Sequence, residues 1–203
     1  MGNTEPDESR RSDRSRVAVL EAAWILFEQR GLRDLTVDAV AAQAGVSKAT
    51  IYRWWPSKSA VVLDALDKHL SPLIPFPDTG SAVEDLRTQL RSVVVLLTTT
   101  TAGAAFLSLI AESRHDVTLA KALTERYLAG RRDAAAAVLA RGLQRGELRP
   151  GLDIPTTIDA LYGAVYYRLL VSHARTDTDY ADKLVDALAH TLLHREAAEH
   201  VPS

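Results

Sequence analysis

The chain has no cysteine among its 203 residues, which excludes a disulfide framework, a thiolate metal site and a cysteine nucleophile. No apolar run approaches the roughly 20 residues needed to cross a bilayer, so no membrane partner is expected. The opening M-G-N-T-E-P-D-E-S-R-R-S-D-R has none of the apolar character of a signal peptide, and the expected location is the cytoplasm. A glycine-rich phosphate loop, a nucleophile elbow and an H-E-x-x-H pair are all missing. No catalytic residue, cofactor or enzymatic activity is therefore assigned. His190 and His194 stand four apart, a metal-ligand spacing to which Glu112 and His115 can add ligands. No third ligand is fixed by the spacing, and a solvated or interfacial helix accounts for the pair more simply, so no metal site is assigned.

What is present is a hydrophobic fraction of 47%, ample for a sizeable core, in a length that suits one large domain or two small ones. A net charge of −2 argues weakly against a nucleic-acid partner, but an average conceals local fields. From Ser9 to Lys58 nine basic residues stand against five acidic ones. A basic module on a more acidic remainder suits a protein that touches DNA with one end.

The stretch T-V-D-A-V-A-A-Q-A-G-V-S-K-A-T-I-Y-R-W-W-P-S-K, from Thr36 to Lys58, reads as two short helices joined by a glycine turn. Thr36 offers an N-cap hydroxyl with Asp38 in the first turn, Val37, Val40 and Ala41 form an apolar stripe, and Gly45 can take the positive φ that ends a helix. Ser47 caps the second helix, in which Val46, Ala49 and Ile51 can face the core. Lys48, Thr50, Tyr52 and Arg53 are left outward, and these groups hydrogen-bond phosphates and base edges. A steep crossing needs a small residue at closest approach, a left-handed turn and one branched residue returned to the core. Ala41, Gly45 and Ile51 supply them in order. The competing reading is an ordinary helix pair in an all-α core.

Residues 1 to about 12 are polar without periodicity, which predicts an unstructured arm whose arginines can still meet DNA. A first helix is expected from about Asp13 to Arg30, with Val17, Leu20, Trp24 and Phe27 at helical spacing and Gly31 closing it. Pro56 and Ser57 stop the recognition helix and cap a fourth, Lys58 to about Leu70, whose Val61, Val62, Leu63, Ala65 and Leu66 suit a buried connector. The P-L-I-P-F-P run ends it. Beyond Ser81 a stripe of Leu86, Leu90, Val93, Val94 and Leu97 breaks at Thr98 to Thr101 and Gly103. A short helix from Ala105 to Glu112 and a long one from about Asp116 to Arg145 follow, the latter rich in small residues at Ala134 to Ala137.

The last two helices are expected at about Ile154 to His173 and Asp179 to about Arg195. Ile158, Leu161, Tyr162, Val165 and Leu169 share one face of the first, and Tyr180, Leu184, Leu188 and Leu192 one face of the second. Val171, Val185 and Leu193 widen the stripes. Such a hairpin suits a subunit interface with a four-helix bundle as the symmetric result; the other reading buries both faces within one subunit.

With these residues in view, the chain resembles the tetracycline-repressor (TetR) family of bacterial transcriptional regulators. The likeness is strong over about Ser15 to Leu70, down to the tyrosine, the aromatic that follows it and the lysine opening the fourth helix. R-G-E-L-R-P-G-L-D and Y-G-A-V-Y-Y-R-L-L-V are similar to the effector-binding domain of one branch of that family. The resemblance implies an all-α fold, with a three-helix helix-turn-helix DNA-binding domain at 13–58, a connecting helix and linker at 59–80, and a C-terminal effector-binding and dimerisation domain at 81–196. It implies a repressor that acts as a homodimer through the last two helices, with two readers roughly 34–36 Å apart on a pseudo-palindromic double-stranded operator.

By the same resemblance Lys48, Ala49 and Tyr52 approach bases, and Thr50, Trp54 and Lys58 hold phosphates. Thr36 meets a phosphate at a helix start, Ser47 caps the reader, and Arg53 fills a variable slot that can do either. Lys48 can donate to guanine O6 or N7, Ala49 admits a thymine methyl, and Tyr52 can lay its ring on a sugar. Trp54 departs from the family's frequent histidine and either donates its indole N–H or packs, while Trp55, at the usual phenylalanine position, belongs to the core. A small-molecule effector of unknown identity would bind near Phe106, Leu109, Glu112, Tyr127, Tyr162, Tyr166 and Arg168, which add aromatic or polar character to apolar helices. The tyrosines also suit a core with satisfied hydroxyls, and Arg168 an interfacial salt bridge. The alternative function is an effector-independent architectural or partner-docking module.

Overall fold

The computed structural model describes residues 5–193. Among the described residues ten α-helices follow in the order α1 (Glu5–Asp34), α2 (Val37–Ala44), α3 (Lys48–Trp54), α4 (Lys58–Leu70), α5 (Ala82–Thr99), α6 (Thr101–Ser113), α7 (Val117–Leu123), α8 (Ala129–Gln144), α9 (Ile154–Tyr167) and α10 (Thr178–Leu192). A 3-10 turn (Ser71–Leu73) follows α4, and π-helical turns follow α7 (Thr124–Leu128) and α9 (Arg168–Ser172). Among the described residues the only extended pairing is one antiparallel bridge between Leu148 and Leu193. The fold is all-α. Two compact units divide it: the chain up to Pro72 together with Ser108–Tyr127, and Leu73–Leu107 together with the chain from Leu128. These units cut across the sequence division at 58 and 81, because α4 packs on α1 and α7 joins α4.

In the first unit α1 buries Val19, Leu20, Ala22, Ala23, Leu26 and Phe27. The stripe is rotated from the expected one: Val17 faces outward, and Trp24 lies at the edge, stacked on His69 of α4 with centroids 4.6 Å apart. Glu5 to Ser12 continue the helix where an unstructured arm was expected; once a helix is nucleated, each added residue costs little. Residues 1–4 of that arm lie outside the described residues. Gly31 leaves helical geometry at φ 71°, ψ 178°, so the break stands where the glycine predicts it, and one more turn reaches Asp34. Ser57 caps α4 by accepting from the Ala60 N–H at 3.2 Å. Ala60 to Leu63, Ala65 and Leu66 of α4 are all buried, and both α1 and α7 pack on this helix.

In the second unit α5 buries Leu86, Leu90, Val93, Val94 and Leu97 as expected. Its last turn is held by Thr98, Thr99 and Thr100, whose hydroxyls each donate at 2.7 Å to the carbonyl four residues back. Thr100 Oγ1 also accepts from the Gly103 N–H at 2.9 Å, so α6 starts at Thr101, four residues earlier than expected, after a sharp corner. Gly103 marks a close approach here, since a Cβ on it would collide with the Leu96 carbonyl oxygen.

The expected long helix starts at its Asp116 cap but is interrupted by the π turn Thr124–Leu128 before α8 begins. In the loop after α8, the Glu147 carboxylate accepts from the Ala82 and Val83 N–H groups and the Ser81 hydroxyl, at 2.8, 3.2 and 2.8 Å, closing the start of α5. α9 and α10 bury Ile158, Leu161, Val165, Ala181, Val185 and Leu192. Tyr162, Leu169, Tyr180, Leu184 and Leu188 remain partly accessible, and Tyr167 and Val171 are 59% and 63% exposed. The second apolar side of the hairpin is thus uncovered in the single chain. α10 ends at Leu192, short of the expected Arg195, which lies outside the described residues.

Candidate nucleic-acid interface

Each end of the reader is set by a local cap. Thr36 Oγ1 accepts from the Ala39 N–H at 3.1 Å and starts α2. Gly45 ends it in the left-handed region at φ 66°, ψ 32°, a conformation that glycine adopts without steric penalty. Ser47 Oγ then accepts from the Thr50 N–H at 3.1 Å, the cap expected of it, and shares a hydrogen bond of 2.9 Å with the hydroxyl of Thr50, which was expected near a phosphate. Ile51 is fully buried and fixes the inner face of α3.

Lys48, Ala49, Tyr52 and Arg53 are exposed together on the opposite side, with Tyr52 53% accessible. Ala49 therefore leaves the core-facing set that the spacing suggested and joins the outward one; on a seven-residue helix Ile51 and Trp55 already fill the inner face. The Lys48 ammonium bridges to Asp38 at 2.5 Å. Its pKa is raised by the hydrogen bond and then by the charge of that carboxylate. Both groups are more than half exposed, so the pair is weak and open to exchange. The Arg53 guanidinium lies over the Trp54 ring at 4.9 Å from its centroid, a cation–π geometry. Trp54 is half-buried and meets Trp55 edge-on, at 5.5 Å and 80°.

Trp55 is a core residue at 1% exposure, and its indole N–H donates to Asp64 Oδ2 on α4 at 2.7 Å. Asp64 in turn receives Arg126 Nη1 at 3.0 and 3.2 Å. Sequence reasoning missed both partners. One signal for Asp64 is legible: a tryptophan in place of phenylalanine brings a buried N–H that needs an acceptor, and Asp64 is the single charge inside V-V-L-D-A-L.

Lys58, which the resemblance places at a phosphate, is engaged within the chain. Its ammonium donates to the Leu32, Arg33 and Leu35 carbonyls at 2.9, 3.2 and 3.1 Å, occupying all three N–H donors on the chain between α1 and α2. Carbonyls left over past the Gly31 break attract the cation, so in this structure Lys58 clamps the reader's frame with its donors turned toward the chain.

The residues expected near an effector fall into both units. Leu109, Glu112 and Tyr127 belong to the first, with Leu109 and Tyr127 buried. Phe106, Tyr162, Tyr166 and Arg168 belong to the second. There the Tyr162 hydroxyl donates to the buried Gln89 Oε1 at 2.6 Å, so Tyr162 has a satisfied hydroxyl. Burial raises the pKa of both tyrosines, Tyr166 to about 12, and the nearby Arg131 charge offsets part of the rise. Arg168 lies over the Tyr180 ring at 4.0 Å. It lines an open cleft of about 480 Å³ with Arg175, Asp177, Asp179, Tyr180 and Lys183. His190 is exposed on α10 and His194 lies outside the described residues. Among the described residues no group of three or more His, Cys, Asp or Glu is placed to hold a metal ion, and no single helix is long and apolar enough to cross a membrane.

Residues 19–65 match the model for bacterial regulatory proteins of the tetR family, and residues 76–188 match the tetracyclin repressor-like C-terminal domain. The HTH-type transcriptional regulator YdeS of Bacillus subtilis (strain 168) is 38% identical over 175 residues, covering 86% of this chain and 88% of that protein. EthR of Mycobacterium tuberculosis (strain CDC 1551 / Oshkosh), another HTH-type transcriptional regulator, is 45% identical over 56 residues, or 28% of this chain and 26% of EthR. The crystal structure of the TetR family transcription regulator SCO0332 superposes with a TM-score of 0.79 at 38% identity, covering 87% of this chain and 97% of that one. A C-terminal match over more than half of the residues, joined to a second match over residues 19–65, the range that holds the capped α2–α3 pair, places this chain in the TetR family of bacterial transcriptional regulators, which are DNA-binding transcription factors and not enzymes.

Proposed function

We propose that the protein is a ligand-responsive repressor that acts in the cytoplasm and binds a pseudo-palindromic operator as a homodimer. The observation that carries this reading is the exposed set Lys48, Ala49, Tyr52 and Arg53 on a helix whose inner face is pinned by Ile51 and Trp55. Lys48, Ala49 and Tyr52 read base edges, Arg53 a base or a phosphate, and Thr36, Ser47, Thr50 and Trp54 hold the backbone. Lys58 supports this surface from behind. The uncovered Tyr167 and Val171 support dimerisation through α9 and α10, which sets two readers about one DNA turn apart.

Effector recognition is assigned to Phe106, Tyr162 and Tyr166, with Arg168 at the end of α9. A ligand switches such a dimer only by binding one reader spacing better than the other. A compound that raises the melting temperature and releases operator is an effector by this criterion. The test of DNA reading is selection of bound duplexes from a random pool at a stated salt concentration, with a Lys48→Ala/Tyr52→Ala double variant alongside. The expected result is a pseudo-palindrome enriched by the wild type alone. Enrichment of nothing at low salt overturns the reading and favours an effector-independent docking module.

A further inference from the structure

Trp55 closes the recognition helix with its ring in the core, and a buried indole N–H must find an acceptor. Asp64 provides one at 2.7 Å. A carboxylate in that partly buried position needs its own compensation, and Arg126 supplies it with contacts of 3.0 and 3.2 Å to the two oxygens. Outward from Trp55 the contacts continue through the Trp54 edge at 5.5 Å to the Arg53 guanidinium at 4.9 Å from the Trp54 ring. Arg126, Asp64, Trp55, Trp54 and Arg53 therefore form an unbroken series inside one compact unit, ending on the exposed face of α3.

The inner end of the series is also unusual. Arg126 sits in the π turn Thr124–Leu128, a wider turn than the helices on either side; such turns are rare and concentrate at functional positions. Its segment, Ser108–Tyr127, belongs to the reader's unit although it lies within the residues matched by the C-terminal family model. We propose that Asp64 and Arg126 are positioning residues for DNA reading: they hold Trp55, and through it Trp54 and Arg53, in the orientation that meets the operator. A rearrangement of the π turn then reaches the DNA-facing side chains without unfolding α3. This rests on the DNA-binding reading above.

The test uses the full chain with Arg126→Gln, Asp64→Asn, their combination and Trp55→Phe. Operator affinity is measured on the duplex selected by wild type, base preference by repeating the selection, and the three indole N–H groups by NMR. Arg126→Gln is expected to stay folded, bind about fivefold more weakly, and change preference at the bases under Arg53. Its Trp54 and Trp55 indole resonances move while that of Trp24 stays. The neutral Asp64→Asn/Arg126→Gln pair, which keeps a hydrogen bond, recovers most of the affinity.

A folded Arg126→Gln with wild-type affinity, unchanged preference and an unmoved Trp54 resonance overturns the proposal. Should Asp64→Asn fail to fold, Trp55→Phe carries the test: it removes the indole N–H together with part of the buried ring, at the position where phenylalanine is the family's usual residue, so a folded variant still reads what the N–H to Asp64 contributes. A similar loss of affinity then supports the proposal, and wild-type binding overturns it. If wild type selects no operator, the DNA-binding reading fails and the resonances decide separately: movement of Trp54 on Arg126→Gln keeps the positioning series, and stillness removes it.

Discussion

Replacing Lys58 by methionine separates a structural clamp from a phosphate contact. The substitution keeps most of the stem and removes an ammonium bound to three carbonyls at 2.9, 3.2 and 3.1 Å. The Arg33 carbonyl is exposed and takes water in exchange, whereas the Leu32 and Leu35 carbonyls are partly buried. Two part-buried acceptors left without a charged donor, at about 1–1.5 kcal/mol each, give an expected loss of about 2–3 kcal/mol. With a urea slope of about 2–3 kcal/mol/M, the midpoint followed by circular dichroism falls by about 1 M. Operator binding across a salt series then gives the second reading. A clamp leaves the salt slope of the remaining folded protein unchanged, whereas loss of one phosphate contact in each subunit of the proposed homodimer lowers its magnitude by about 1.8. An unchanged urea midpoint with a slope reduced by that amount would refute the clamp.

Asp38→Asn removes the carboxylate that holds Lys48 and should tighten operator binding about two- to fivefold at low salt, an advantage that fades as salt rises; equal or weaker binding in a low-salt titration counts against the exchange of Asp38 for DNA. Gly103→Ala forces a methyl against the Leu96 carbonyl and should lower stability by about 3 kcal/mol, with a thermal midpoint lower by about 6–10 °C. A melt within a degree of wild type means the α5–α6 corner differs from the one described.

Glu147 gives a pH dependence. Burial opposes its charge, but hydrogen bonds from the Ala82 and Val83 N–H groups, the Ser81 hydroxyl and Arg145 outweigh it and hold the pKa below the ordinary carboxylate value. Its contribution is therefore complete above the unfolded-state pKa and is lost as pH falls through the lower folded value. Urea midpoints measured from neutral pH down through the carboxylate range should fall less steeply in Glu147→Gln, and parallel curves for the two proteins would contradict the assignment.

Local chemistry made the reader legible. A hydroxyl three residues before a free N–H, a glycine able to turn left-handed and a branched residue returned to the core each act within one turn of chain, so Thr36, Gly45, Ser47 and Ile51 stand where the spacing puts them. What stayed hidden depends on partners far along the chain. Lys58 reaches carbonyls 23 to 26 residues earlier, and Asp64 meets Arg126 across 62 positions; neither pairing leaves a period in the sequence. The break between α5 and α6 was anticipated from threonines and glycine, yet Gly103 turned out to belong inside α6, because a close backbone approach and a helix stop call for the same residue. The effector candidates were chosen for aromatic or polar character alone, which cannot distinguish a Tyr162 hydroxyl bound to Gln89 from one that waits for a ligand.

The placement of Trp24, Trp54 and Trp55 has a practical consequence. These are the three tryptophans of the sequence, and all belong to the first compact unit, while Tyr162, Tyr166, Tyr167 and Tyr180 belong to the second. Tryptophan emission is thus an intrinsic optical label for the reader's unit, with no dye or tag attached. Excited selectively, it reports unfolding there and is blind to direct loss of structure around α8, α9 and α10, which far-ultraviolet dichroism still records. Two melts on one sample, one by each signal, therefore resolve whether the two halves of the chain come apart together or in sequence.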